Sequence, residues 1–352
     1  MSEHYFVASP GVLGIRTNLR NFKWSFGINT PESAREQYDA CAVRMCLNIG
    51  PIEHFQRNGA SAASDGLGKY HYFSGEPGAD RLYYQRAFLF RWQLQIEASG
   101  LLSDEPCISA NRTYHKYITH RFMNLHSIGY IMTDLAALLL LRRGFAPVHC
   151  SAFRKGDSAV VVFAPPNTGK TLTAMMACME FGADFLAEDI AITDGAVLYS
   201  VPWTSTFRYY SRVEEGLGAR LINSLTRVIP PLELLSIGRH KPVSEYIDSG
   251  RIVDNAKITH LVLLERGPEA VSEQSARDVI GKIINLNRYE FCYVKSPLIT
   301  AHEFFNPALD VEKAVATEKD ILLRTAENAR QRLVVRTTDP TCYASLIMDA
   351  LK

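Results

Sequence analysis

The chain has 352 residues, 47% of them hydrophobic and 21% charged, with a formal net charge of +1. That length suits one large domain or two ordinary ones, and the composition excludes a disordered chain. The charge balance offers no basic surface for nucleic acid or an anionic membrane. Seven cysteines, an odd number without CxxC spacing, fit free thiols in a reducing compartment better than a disulfide scaffold or a zinc site. No basic stretch followed by an apolar run opens the chain. The longest apolar run, residues 135–141, is far shorter than the roughly 20 residues of a membrane span. A cytoplasmic location without membrane contact is the expectation.

In chain order, short aromatic segments come first: Tyr5-Phe6-Val7, Lys23-Trp24-Ser25-Phe26, Tyr70-His71-Tyr72-Phe73 and residues 87–92. Broken by Gly, Pro and Asn, they read as strands, and residues 59–66 read as a loop. From about residue 111 the period changes. Ile128, Ile131, Met132, Leu135, Leu138 and Leu139 share one helical face, with Arg142 and Arg143 in the last turn and Gly144 as the stop. Next come two β segments, residues 149–153 and 159–163, around a polar turn, then a helix over 170–181 ended by Gly182. Residues 184–192 read as a strand, 193–195 as a turn, 196–201 as its return, and 258–265 as a buried strand. Beyond 267 the pattern is helical, closing on a β-like 333–336 and a short helix.

The junction of strand 159–163 and the following helix carries Ala164-Pro165-Pro166-Asn167-Thr168-Gly169-Lys170-Thr171. This is a P-loop with alanine for its first glycine. Successive backbone N–H groups of Asn167, Thr168, Gly169, Lys170, Thr171 and Leu172 form an anion nest at a helix N-terminus. Lys170 reaches the β- and γ-phosphates and the Thr171 hydroxyl ligates Mg²⁺. An ordinary strand-turn-helix with an incidental Gly-Lys-Thr is the bland alternative.

About nineteen residues past Lys170, Glu188 and Asp189 lie together between apolar neighbours. Adjacent carboxylates there are costly unless their charge is used, and on a strand they would face opposite sides. A phosphotransferase needs one acid near Mg²⁺ and one near the acceptor hydroxyl; two acids facing water at a strand end is the other reading. His149, just before the hairpin, reads alone as a hydrogen-bonded structural residue as readily as a site residue.

Together, His149-Cys150-Ser151-Ala152, the loop 164–171 and Leu186-Ala187-Glu188-Asp189 resemble the kinase domain of HPr kinase/phosphorylase and its related proteins, which share a nucleotide-binding core with phosphoenolpyruvate carboxykinase. Tyr199-Ser200-Val201-Pro202 and Phe207-Arg208-Tyr209-Tyr210 extend the likeness, and residues 261–266 do so more loosely. The resemblance implies an α/β chain: a β-rich region over 1–110, connecting helices over 111–144, and a P-loop kinase domain with a mixed sheet and flanking helices over 145–352. It implies ATP as phosphoryl donor, Asp189 as acceptor base, Glu188 and Asp189 with Thr171 around Mg²⁺, His149 beside the acids, and Arg208 toward the acceptor. The acceptor would be a hydroxyl of a peptide, a protein serine or a small compound, and the ring assembly of HPr kinases makes a homo-oligomer a further implication.

Two departures stand out. Glu188 replaces the family's first aspartate. Glu215-Gly216-Leu217-Gly218-Ala219-Arg220 is only a partial echo of the glycine-rich segment used in the reverse, phosphorylase reaction. Carboxykinase-like chemistry on an oxo-acid and a catalytically blunted nucleotide-binding module are the competing readings.

Overall fold

The computed structural model describes residues 3–28, 30–52, 65–75, 79–88, 91–121, 124–204 and 243–352. The architecture is mixed α/β, with three sheets and eight α-helices among the described residues. Arg208, residues 207 and 209–210, residues 215–220 and most of the 59–66 stretch lie outside the described residues.

The first eight strands form one sheet: β1 (His4–Ser9), β2 (Leu13–Thr17), β3 (Val43–Ile49), β4 (Asp65–Leu67), β5 (Tyr70–Phe73), β6 (Arg81–Phe88), β7 (Trp92–Ser99) and β8 (Cys107–Ala110). Their order is β1-β2-β3-β8-β7-β6-β5-β4, parallel at β2–β3 and β3–β8 and antiparallel elsewhere. Period-two patterning sets the inner face: Met45, Leu47 and Ile49 of β3 are buried while Asn48 between them is exposed. Short helices α1 (Arg35–Asp39) and α2 (Arg112–Tyr117) flank the sheet.

Two aromatic segments depart from the expected strands. Residues 23–26 make only an isolated bridge between Trp24 and Gly27. Their backbone follows a helix instead, with Ser25 N–H donating to Thr133 Oγ1 at 3.3 Å. Of residues 87–92, Ala87 and Phe88 end β6 and Trp92 starts β7, paired with Phe88, while residues 89–90 lie outside the described residues.

Helix α3 (Ile128–Arg142) begins at the Ser127 cap, and the chain leaves it through Gly144 at φ +80°. The expected single apolar face understates it, because every residue from Ile131 to Leu141 is buried. The helix lies between the N-terminal sheet on one side and later elements on the other, so it is enclosed all round. No helix among the described residues is long and apolar enough to cross a membrane.

After α3 come β9 (Ala146–Val148), β10 (Ser151–Lys155), β11 (Ser158–Phe163), α4 (Lys170–Met179), β12 (Asp184–Ala187), β13 (Ala191–Thr193) and β14 (Val197–Ser200). The remainder is β15 (Asn255–Lys257), β16 (His260–Arg266), β17 (Ala270–Glu273), α5 (Ala276–Glu290), α6 (Pro297–Phe305), α7 (Val311–Asn328), β18 (Gln331–Thr337) and α8 (Tyr343–Ala350). One mixed sheet runs β12-β10-β11-β16-β18-β17, and a small antiparallel sheet runs β15-β14-β13-β9. In the mixed sheet β11, β16 and β18 are parallel. Their near-continuous apolar sequences follow from burial on both faces. The hairpin of β10 and β11 and the α4 helix match the sequence reading. Strand β17 does not, since all four of its residues are exposed on the sheet edge and carry no alternating signal.

The contact between the N-terminal sheet and the C-terminal helices includes a buried polar pair. His302 Nε2 on α6 lies 2.6 Å from the Asp80 carboxylate, which also accepts from Tyr72 and Asn306. Burial pushes the His302 imidazole below its ordinary pKa, and Asp80 offsets only part of that shift. A histidine whose pKa is lower in the folded than in the unfolded chain contributes stability that is complete above the unfolded value, about 6.5. That stability is lost as pH falls toward the folded value. Denaturation between pH 7.5 and 5 is expected to show stability falling with acid, by up to about 1.4 kcal/mol per pH unit for each such histidine. His302→Asn is expected to flatten the slope.

Candidate functional site

The mixed sheet and the small sheet share two crossing points, and the site forms there. Strand β9 belongs to the small sheet and β10 to the mixed one, so the chain changes sheet at His149-Cys150. Strands β12 and β13 make the same change at Glu188-Asp189-Ile190. Because β10 pairs antiparallel with β12 (Ala152 opposite Ala187) and β13 with β9 (Ala191 opposite Val148), the two crossings lie side by side. The Cys150 N–H donates to the Asp189 carbonyl at 3.2 Å and ties them together. Strand β11 is antiparallel to β10, with Ser151 opposite Val162. The start of β10 therefore adjoins the end of β11, where the P-loop begins. One corner of the fold thus collects His149, both acids and the loop over residues 164–171.

The acid pair corrects the expectation for residues 184–192. They do not form one strand with carboxylates on opposite faces; β12 ends at Ala187 and β13 starts at Ala191. In between, Asp189 has φ +78°, and Ile190 N–H donates to Glu188 O at 3.1 Å. A three-residue turn with positive central φ is the strained form, and backbone of this kind costs of order 1–3 kcal/mol and concentrates at functional sites. Aspartate tolerates the left-handed region better than most side chains. The turn buries Glu188, whose carbonyl accepts from Thr204 Oγ1 at 2.8 Å, and leaves the Asp189 side chain 51% exposed.

In the loop, Pro165, Pro166 and Asn167 are exposed, and Ala164, Thr168 and Lys170 are buried. Thr171 and Leu172 are half-buried on the first turn of α4. Asn167 takes φ +62° and Gly169 φ +124°. At Gly169 the conformation excludes a side chain, and a Cβ would stand 3.1 Å from Pro340 Cβ, against the start of α8. Arg266, at the end of β16, donates to the Asn167 carbonyl at 3.2 Å and braces the loop from the neighbouring parallel strand.

Two buried polar atoms converge on this corner without a hydrogen bond among the described residues: Lys170 Nζ and His149 Nδ1. Burial lowers the Lys170 pKa, opposed first by Asp189 and then by Cys150, Glu290 and Glu188. His149 Nδ1 lies 3.5 Å from Asp189 Oδ1 and 3.9 Å from Glu290 Oε2, too far for well-formed hydrogen bonds. Burial, helped by the Lys170 charge, takes the His149 pKa down to about 4, so the imidazole is neutral at physiological pH. Burial also pushes the Cys150 thiol up to about 12, so it is no nucleophile.

Two site residues escaped the sequence reading, both on α5. Glu290 is the third carboxyl of the cluster, its pKa raised by burial and then by Asp189. Asn287, fully buried, accepts from the His149 N–H at 3.1 Å and donates to Pro147 O at 3.0 Å and Glu318 Oε1 at 2.6 Å. Tyr293 donates to the other Glu318 oxygen at 2.8 Å. Neither lies in a local motif; they reach the site only because α5 ends beside β9. Asn287→Ala would strand the His149 N–H, the Pro147 carbonyl and a Glu318 oxygen in the interior. Chemical denaturation is expected to show a loss of about 2–4 kcal/mol, whereas a loss below about 0.5 kcal/mol would mean these groups find other partners.

The donor set suits Mg²⁺. Thr171, Glu188 and Asp189 supply hard oxygens, and Mg²⁺ is commonly bound by one or two carboxylates together with substrate phosphates. No group of three or more His, Cys, Asp or Glu side chains among the described residues forms an all-protein metal cage. Among known proteins, no family model and no curated sequence matches this chain.

Proposed function

We propose that the chain is an ATP- and Mg²⁺-dependent kinase of the HPr-kinase-like kind, transferring the γ-phosphoryl group to a hydroxyl of a peptide, a protein serine or a small compound. The observation that carries this reading is the corner where both sheet crossings meet the P-loop, with Lys170 Nζ buried beside the acids and without a hydrogen-bond partner among the described residues. Among the described residues, Glu188, Asp189 and Glu290 lie around Lys170, with the neutral His149 beside them. These carboxylates would repel a bare triphosphate, which is the physical reason to expect a divalent cation.

The roles follow from position. Loop N–H groups from Asn167 to Leu172 hold the phosphate oxygens, and Lys170 adds its charge at the β- and γ-phosphates. Mg²⁺, held by Thr171 with Glu188 or Asp189, would neutralise charge developing on the phosphates. Asp189, the exposed acid of the pair, accepts the acceptor's hydroxyl proton. The acceptor oxygen then bonds to the γ-phosphorus as the bond to the β–γ bridging oxygen breaks, and Lys170 stays with the departing diphosphate. Neutral His149 flanks Asp189.

Incubation with γ-labelled ATP, Mg²⁺ and a pool of serine-bearing peptides, proteins and sugars tests the reading. Label is expected on a hydroxyl, found by mass spectrometry. Tight nucleotide binding with no transfer to any acceptor would favour a regulatory module instead.

A further inference from the structure

The N-terminal sheet, separate from the sheets that form the P-loop corner, carries a cysteine pair on its outer face. Cys46 on β3 and Cys107 on β8 are direct register partners on neighbouring parallel strands. Both stand in one row with Arg16 on β2 and Ser99 on β7. Asn48 Nδ2 lies 3.4 Å from the Cys46 sulfur and 3.5 Å from the Cys107 sulfur, so one amide touches both. Neighbouring strands run about 4.7–4.9 Å apart, inside the roughly 4.4–6.8 Å window of Cα separations that a disulfide spans.

The remaining thiols differ. Cys41, Cys150 and Cys178 are buried, and burial raises each of them. Cys292 and Cys342 are partly exposed, and neither has a cysteine as register partner or hydrogen-bond partner among the described residues.

We propose that Cys46 and Cys107 are an oxidative modification site that closes reversibly to a disulfide across β3 and β8 on exposure to a peroxide. Ionisation supports the geometry. The adjacent thiols shift each other, Cys46 down and Cys107 up, which favours loss of one proton from the pair. The Arg16 charge adds to this, against burial and against Glu105 and Glu3, which pair with Arg16 at 2.7 and 2.6 Å. Cys107 is partly exposed and gives a water-sized oxidant access to the otherwise buried pair.

The chemistry balances. The pair's thiolate attacks a peroxide oxygen, the O–O bond breaks, and hydroxide leaves and takes up the thiol proton as water. The resulting sulfenic acid is attacked by the neighbouring thiol, the S–S bond forms, and a second water departs. Two thiols are oxidised and one hydrogen peroxide is reduced to two waters.

The test is to treat the full chain with graded hydrogen peroxide, alkylate it, digest it without reductant and map it by mass spectrometry. The expected result is a Cys46–Cys107 linked peptide at lower peroxide than any modification of Cys292 or Cys342, reversed by dithiothreitol. Linkage should raise the melting temperature by a few degrees, because it ties together the ends of the segment spanning β4 to β7. In Cys107→Ser the link should vanish and Cys46 should become trappable as sulfenic acid by dimedone. The proposal is overturned if both cysteines remain alkylatable in the wild-type chain after Cys292 and Cys342 are oxidised, or if either links elsewhere.

Discussion

Lys170→Ala is expected to weaken ATP binding roughly 10- to 150-fold, the loss of about 1.5–3 kcal/mol for a hydrogen bond to a charged group. The chain should stay folded. Lys170 Nζ is buried without a hydrogen-bond partner among the described residues, so its removal breaks no bond seen there. Protonation gives a second signature. Burial holds the Lys170 pKa below its ordinary value in the free protein, and a triphosphate beside it would bring that value back up. Between the two values the complex binds more protons than the free partners, so ATP binding to the wild-type chain should take up protons at alkaline pH. Calorimetry in buffers of different ionisation enthalpy reads that uptake directly, and Lys170→Ala should abolish it. Unchanged affinity in the variant would remove the loop from phosphate binding.

Asp189→Asn is expected to cut phosphoryl transfer by about 10²- to 10⁴-fold, the usual contribution of a positioned general base. ATP affinity should hold to within about threefold. Asparagine keeps the shape and tolerates the +78° φ that the turn imposes. Asp189→Ala would add backbone strain to the loss of the base, so it is the poorer probe. Single-turnover kinetics with labelled ATP separates transfer from binding. Full activity in Asp189→Asn would assign proton removal to another group, Glu290 being the next carboxyl to His149 among the described residues.

The strand, loop and helix around residues 151–179 were legible because their signals are local. Polar residues 154–158 between two β segments specify a hairpin, whose register sets the start of β10 beside the end of β11. The Gly-Lys-Thr at a strand-to-helix junction marks the loop. The acid pair was legible in composition but not in conformation. Phe185-Leu186-Ala187 and Ile190-Ala191-Ile192 are apolar on both sides of the pair, and nothing local says that the first three pair in one sheet and the last two in another. The break is a tertiary decision, made by which partner each half finds.

Distance in sequence hid the rest. Asn287 and Glu290 lie more than 130 residues beyond His149 on an amphipathic helix that reads as an ordinary surface element. In the N-terminal sheet, the cysteine pair emerges only from the parallel register of β3 with β8, which no spacing between residues 46 and 107 announces. Residues 23–26 misled for the opposite reason: aromatic content resembling a strand is used to cover α3, where ring packing replaces a ladder.

The central claim is that the corner built by the P-loop and the two sheet crossings holds a nucleoside triphosphate with Mg²⁺. Phosphorus NMR of ATP titrated with the wild-type chain, with and without Mg²⁺, tests it most directly. Broadening and shift of the β- and γ-phosphate resonances that saturate with protein, strengthen with Mg²⁺ and disappear in Lys170→Ala are the predicted result. Resonances identical to those of free ATP at millimolar protein, or shifts that persist unchanged in Lys170→Ala, would contradict it.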